Sequence, residues 1–194
     1  MKQILFLGAF LFSFSTAMMS QVAQPVAVSE TSQTNPLSAD AILKEACQQA
    51  ARENKNVFVI FHASWCGWCH KMDNSMNDAG CKKFFDNNYV ITHFVVEETT
   101  DKKNLETPGA AELKAKYNGN GQGLPFWLVL DKDGKLLADS KMRKEGEGAD
   151  KGSNAGCPAT EEEVAFFLSV IQKTSSPDRA QLEIIRKRFR ENDQ

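Results

Sequence analysis

The sequence predicts an α/β domain with a mixed central sheet of about four strands, flanked by helices on both faces and extended by a C-terminal helix. Three observations predict it. "VFVIFH" (57–62) and "YVITHFVVEE" (89–98) are apolar, β-branched and aromatic runs, the pattern of strands buried on both faces. Helix-period segments separate them, so the two pair in parallel through a right-handed crossover. Further on, "LPFWLVLDKDGKLLADS" (124–140) reads as a strand, a tight Asp-x-Asp-Gly turn and a returning strand, which adds antiparallel pairing.

Taken in order, the chain begins with Lys2 and the unbroken apolar run "ILFLGAFLFSF", Ile4 to Phe14, followed by small residues to Ser20. The run is too short to span a hydrocarbon core of ~30 Å comfortably. It reads as a secretory signal over 1–20, cleaved near 17–20, which places the mature protein in the periplasm or outside the cell. Residues 21–37 are rich in Ser, Thr, Gln and Pro with no apolar period, and read as a disordered linker. Ser38 caps a helix that carries Ile42, Ala46 and Ala50 on one stripe. The first strand then leads into "SWCGWCHKM" (64–72), with helix resuming through Met76. A short helix is expected over Asp78 to Asn87, the second strand over Tyr89 to Glu98, and a helix over Ala110 to Tyr117 that stops at "NGNGQG". After the hairpin comes a polar, glycine-rich insertion, Lys141 to Pro158. Thr160 and Glu163 form a capping box for the next helix. Ser176-Pro177-Asp178 opens the last one, with Leu182, Ile185 and Phe189 on its apolar face. The main domain is thus expected over 38–176, with a C-terminal helix over 177–194 packed on it.

Composition narrows the function. A net charge of −2 with both signs interspersed gives no reason to expect nucleic acid or an anionic membrane surface as a partner. The cysteines are Cys47, Cys66, Cys69, Cys81 and Cys157. Export implies an oxidising compartment, and an odd number leaves at least one thiol unpaired within the chain.

Cys66 and Cys69 offer two chemistries. Cys-x-x-Cys-His is a c-type haem signature, with His70 as proximal ligand and Met72, Met76 or Met142 as distal ligand. The context opposes it, because a buried strand feeds the motif directly and leaves no helical shell for a large cofactor. No second Cys/His pair has zinc-ligand spacing, so no metal is expected. Thiol–disulfide chemistry fits better. Cys66 falls at the first turn of a helix, where unpaired N–H groups and the helix dipole stabilise a thiolate. Cysteines so placed have pKa values lowered to roughly 3.5–7.5.

"VFVIFHASWCGWCHKM" and "GLPFWLVLDKDGKLL", in that order, resemble the thioredoxin superfamily, and in particular exported bacterial thioredoxin-like thiol–disulfide oxidoreductases, over roughly 38–174. The resemblance implies a thioredoxin-like fold and exchange of disulfides with protein substrates. Cys66 is then the attacking nucleophile and Cys69 the resolving thiol, one helical turn further in and better buried. Pro125 corresponds to a cis-proline facing the redox pair, with the Leu124 backbone open to an extended substrate. Trp65, Gly67 and Trp68 complete the substrate-facing surface. No cofactor beyond the Cys66–Cys69 disulfide is implied. A membrane-linked electron donor or acceptor is the redox partner such a protein would need.

Two departures stand out. Ile60 occupies the strand position where many thioredoxins carry a buried carboxylate, leaving Glu97, Glu98 or water as the proton route. Asp73 and Asn74 stand where a helix proline is usual. These departures keep open a non-catalytic binding or chaperone-like module on the same fold. Cys47 and Cys81 read as small buried hydrophobes on opposite sheet faces. Cys157 reads as a candidate third redox thiol near the active site.

Overall fold

A computed structural model describes residues 36–194. The expected signal (1–20) and all but the last two residues of the expected linker lie outside the described residues. Helices α1 (Ala39–Glu53), α2 (Gly67–Met76), α3 (Lys82–Asn88), α4 (Ala110–Lys116), α5 (Glu161–Thr174) and α6 (Arg179–Arg190) surround a sheet of β1 (Asn56–His62), β2 (Tyr89–Val95), β3 (Phe126–Leu130) and β4 (Leu136–Asp139). The strand order is β2-β1-β3-β4. β1 runs parallel to β2, Asn56 opposite Tyr89, and antiparallel to β3, Val57 opposite Leu130. A two-stranded ribbon of β5 (Lys141–Met142) and β6 (Ser153–Asn154) lies beyond β4. No described helix is long and apolar enough to cross a membrane.

The alternation of side chains along β1 and β3 divides the core in two. Val57, Val59, Phe61, Phe126, Leu128 and Leu130 face α1 and α4. Phe58, Ile60, Trp127 and Val129 face α2, α3, α5 and α6, against an aromatic cluster that includes Phe85, Phe167 and Phe189. All of these strand residues are fully buried, which is why the sequence runs are continuous rather than alternating. The capping signals also hold. The Ser38 hydroxyl accepts from Ala41 N–H, and Thr160 and Glu163 close a reciprocal capping box on α5. Such caps each contribute about 1 kcal/mol. α6 buries Ile185 and Phe189 in the aromatic cluster and keeps its basic residues outside.

Two boundaries differ from the sequence expectation. β2 ends at Val95 because the chain leaves the sheet there, with Glu97 in the left-handed region (φ 56°). α3 starts at Lys82 because the Asp78 carboxylate accepts from Gly80 N–H and folds residues 78–81 into a turn. The hairpin turn is as expected. Asp131 Oδ1 accepts from the N–H groups of Asp133 and Lys135, and Gly134 takes the positive φ (79°) the turn requires.

Candidate active site

The strand β1 delivers the chain to the N-terminus of α2, and Cys66 is the residue that caps it. Its Sγ accepts from Cys69 N–H at 3.1 Å, so the first turn of the helix points an N–H directly at the sulfur. Cys66 and Cys69 form a disulfide, with Cα atoms 5.3 Å apart. Sequence reasoning placed Cys69 deeper, but the difference is small: Cys66 is 3% exposed and Cys69 1%. Ala63 and Leu124 pack with the pair. The Leu124–Pro125 bond is cis.

The flanking residues are held by groups from the loop after β2. Glu98, 4% exposed, accepts from both the backbone N–H and the hydroxyl of Ser64, at 2.5 and 2.8 Å. The Trp65 indole N–H donates to the Glu97 carbonyl at 2.9 Å. The Glu97 carboxylate pairs at 2.6 Å with the buried Lys114 ammonium, which also donates to the Gln122 carbonyl. The Glu98 carboxylate is therefore engaged in bracing the chain at Ser64 and the Glu97 carboxylate in pairing with Lys114, while the Glu97 backbone carbonyl holds Trp65. Ile60 is fully buried on the face that also holds Met72 and Met76 of α2, so β1 supplies no carboxylate there.

Trp65 and Trp68 are 55% and 48% exposed. The Lys71 ammonium lies 4.6 Å from the Trp68 ring centroid. A Cβ added to Gly67 would meet nothing within 4 Å, so space does not require glycine there. Trp68 and Leu124 line one side of a cleft of about 390 Å³. Its other side is built by Asn154, Cys157, Thr160 and Glu163. The residues singled out in the sequence thus converge on one end of the sheet. Among the described residues no group of three His, Cys, Asp or Glu side chains is disposed to hold a metal ion.

The remaining cysteines are free thiols, Cys47 on one face of the sheet and Cys81 and Cys157 on the other. Cys47 packs beside the α1 stripe and Cys81 lies in the opposite core. Cys157 lies at the cleft but belongs to the core, where its sulfur accepts from the Asn192 side chain at 3.4 Å. Burial pushes its pKa up to about 12 and that of Cys81 to about 11. Neither thiol forms an attacking thiolate near neutral pH, which argues against the third redox thiol. In the reduced native protein at pH 8, alkylation is expected to label Cys66 rapidly and to leave Cys81 and Cys157 unmodified until urea is added. Mass shifts after brief alkylation check this, and early modification of Cys157 would contradict its placement.

The three histidines gather beside α2, a grouping that sequence reasoning did not find. The rings of His62 and His93 meet edge to face at 5.3 Å, and His93 Nε2 lies 2.8 Å from an Asp73 carboxylate oxygen. Burial holds the half-buried His62 below its ordinary value of 6.5, with His93 and His70 acting in the same direction and Asp73 and Glu98 opposing them. A proton therefore binds His62 more readily in the unfolded chain. His62 contributes full stability above about pH 6.5 and loses it as the pH falls through its lower folded value. Urea midpoints measured from pH 7.5 to 5 should fall, and His62→Asn should flatten part of that slope. Parallel slopes would assign the acid sensitivity elsewhere.

Residues 39–132 match a family profile described as thioredoxin-like. The match covers just under half of the chain, and the fold is thioredoxin-like. Among solved structures this thioredoxin-like chain is similar to a disulphide isomerase from Xylella fastidiosa Temecula1, at 21% identity and a TM-score of 0.43, covering 59% of this chain and 79% of that one. It is similar to a DsbH oxidoreductase at 20% identity and a TM-score of 0.42, covering 82% and 94%. A thioredoxin from Thermus thermophilus matches at 20% identity and a TM-score of 0.41, covering 66% and 80%. No curated protein sequence matches the chain.

Proposed function

We propose that this protein is an exported thiol–disulfide oxidoreductase that exchanges disulfides with protein substrates, with the Cys66–Cys69 disulfide as its redox group. The observation that carries the proposal is the pair itself: two disulfide-bonded cysteines at a helix N-terminus, with Cys69 N–H directed at Cys66 Sγ and Leu124 packed on both. In the reducing direction the Cys66 thiolate attacks one sulfur of a substrate disulfide. The substrate S–S bond breaks, a mixed disulfide forms, and the departing substrate sulfur takes up a proton. Cys69, deprotonated in turn, attacks Cys66 Sγ. This closes the Cys66–Cys69 bond and releases the second substrate thiol, so two electrons pass to the substrate. The oxidising direction is the reverse.

Trp65, Gly67, Trp68, Leu124 and Pro125 form the surface on which the substrate lies. The Leu124 N–H and C=O make no hydrogen bond among the described residues, which suits them to an extended peptide. Lys2 and the apolar run from Ile4 to Phe14 support export to the periplasm or beyond. A membrane-linked dithiol or disulfide would reset the pair after each turnover.

Ile60 favours one alternative, a binding or chaperone-like module on the same fold, because Cys69 has no carboxylate from β1 to help it lose its proton. The equilibrium potential of the pair against glutathione, read by alkylation mass shifts, separates the readings. A value of about −120 to −180 mV makes the protein an oxidant or isomerase, and one near or below about −230 mV a reductase. The absence of a reversible two-electron couple would leave the binding module.

A further inference from the structure

The insertion between β4 and α5 lies beyond the thioredoxin-like match, which ends at residue 132, yet it reaches the Leu124–Pro125 loop. Its framework is built from buried groups. Lys141, 1% exposed, donates its ammonium protons to the carbonyls of Ala149 and Asp150. Arg143 forms a two-pronged pair with Asp139 at 2.7 and 2.8 Å and also donates to the Ala149 carbonyl. Ala155 N–H donates to the Ser140 carbonyl, while the Trp127 indole N–H donates to the Gly156 carbonyl at 2.8 Å. These bonds fix the end of the β5–β6 ribbon over the start of β3.

At that fixed end stands Asn154. Its side-chain amide donates to the carbonyl of Gly123 at 2.7 Å and to that of Pro125 at 3.1 Å, while its Oδ1 accepts from Gly156 N–H at 3.2 Å. One side chain thus ties the carbonyls of Gly123 and Pro125, the residues flanking Leu124, while the N–H and C=O of Leu124 make no hydrogen bond among the described residues. A loop held in this way presents those two groups in one orientation, so an incoming peptide loses less freedom in pairing with them.

We propose that Asn154 is a positioning residue that presents the Leu124 backbone to protein substrates, and that the insertion thereby sets affinity for extended peptides without taking part in the sulfur chemistry. The proposal rests on the thiol–disulfide function inferred above. Asn154→Asp is the informative variant, since it keeps the shape and the acceptor for Gly156 N–H but turns both donors into acceptors facing carbonyls. Asn154→Ala removes the brace outright.

The experiment compares both variants with the unaltered protein in reduction of a protein disulfide such as insulin and of a small aromatic disulfide that needs no peptide groove. The expected result is a KM for insulin raised about fivefold or more, the scale of one or two lost hydrogen bonds. The rate with the small disulfide and the equilibrium potential of Cys66–Cys69 should stay near their original values. An unchanged insulin KM in both variants, with the unaltered protein active, overturns the role of Asn154 alone. Equal losses on both disulfides would make Asn154 a general structural residue and also overturn it. An unaltered protein that exchanges with neither disulfide overturns the function and this proposal together.

Discussion

Serine at position 66 is expected to reduce exchange with insulin to background, a loss of at least about a thousandfold, while peptide binding and the folded state persist. Oxygen at that position is not ionised near neutral pH, so neither the helix N-terminus nor the Cys69 N–H has a thiolate to stabilise. Serine at position 69 should behave differently. The Cys66 thiolate still attacks, but no second sulfur completes the transfer, and the mixed disulfide accumulates. Non-reducing mass spectrometry reads it as a substrate-sized increment that dithiothreitol removes. Accumulation with Cys66→Ser and not with Cys69→Ser would reverse the two assignments. Equal, unreduced turnover in both variants would remove the pair from the chemistry.

The second large effect is on stability. Trp127 is fully buried between Phe58, Phe166 and Phe167, with ring centroids 5.5, 6.2 and 5.6 Å away. Trp127→Ala should cost roughly 3–5 kcal/mol, through lost burial and a cavity that the surrounding rings fill only in part. For a domain of this size the melting temperature should fall by about 10 °C. Trp127→Phe keeps much of the ring contact but leaves the Gly156 carbonyl without its donor, at a cost of about 1–3 kcal/mol. Urea unfolding of the oxidised proteins checks both values. A loss below about 1 kcal/mol for the alanine variant would show that this side of the core repacks around the gap.

Trp127 also shows what was legible in the sequence and what was not. Its burial follows from a five-residue apolar run flanked by a proline and an Asp-x-Asp-Gly turn, information contained within a few residues. The same holds for β1, for the capping box at Thr160 and Glu163, and for the stripe that carries Ile185 and Phe189. The placement of Cys66 at a helix start was legible because a strand ends four residues earlier. The bonds that give Trp127 its partner, Gly156, were not. They depend on where a polar insertion lands, and nothing in "EGEGADKGSN" fixes its path. Lys141 looks like any surface lysine until the carbonyls of Ala149 and Asp150 close around it. Glu97 and Glu98 read as spare carboxylates near the site. In the fold the Glu98 carboxylate reaches back to Ser64 and the Glu97 carboxylate to Lys114, beyond the left-handed turn at Glu97 whose carbonyl holds Trp65. Asn154 carried no signal at all, since its bonds to Gly123 and Pro125 cross 31 and 29 residues and all three join backbone groups that any sequence possesses.

Asn192 ties the last turn of the chain to the redox helix. Its carbonyl accepts from the Lys71 ammonium at 2.8 Å and its side chain accepts from the Ser75 hydroxyl at 3.1 Å, partners 121 and 117 positions earlier. A ribosome adding about 5–20 residues per second completes the two cysteines on the order of ten seconds before it reaches Asn192. During that interval the helix bearing them lacks the core neighbours Ile185 and Phe189 of α6 and the Asn192 contacts of the turn after it. The residues around Asn192 must therefore be in place before α2 has the neighbours it keeps in the folded protein.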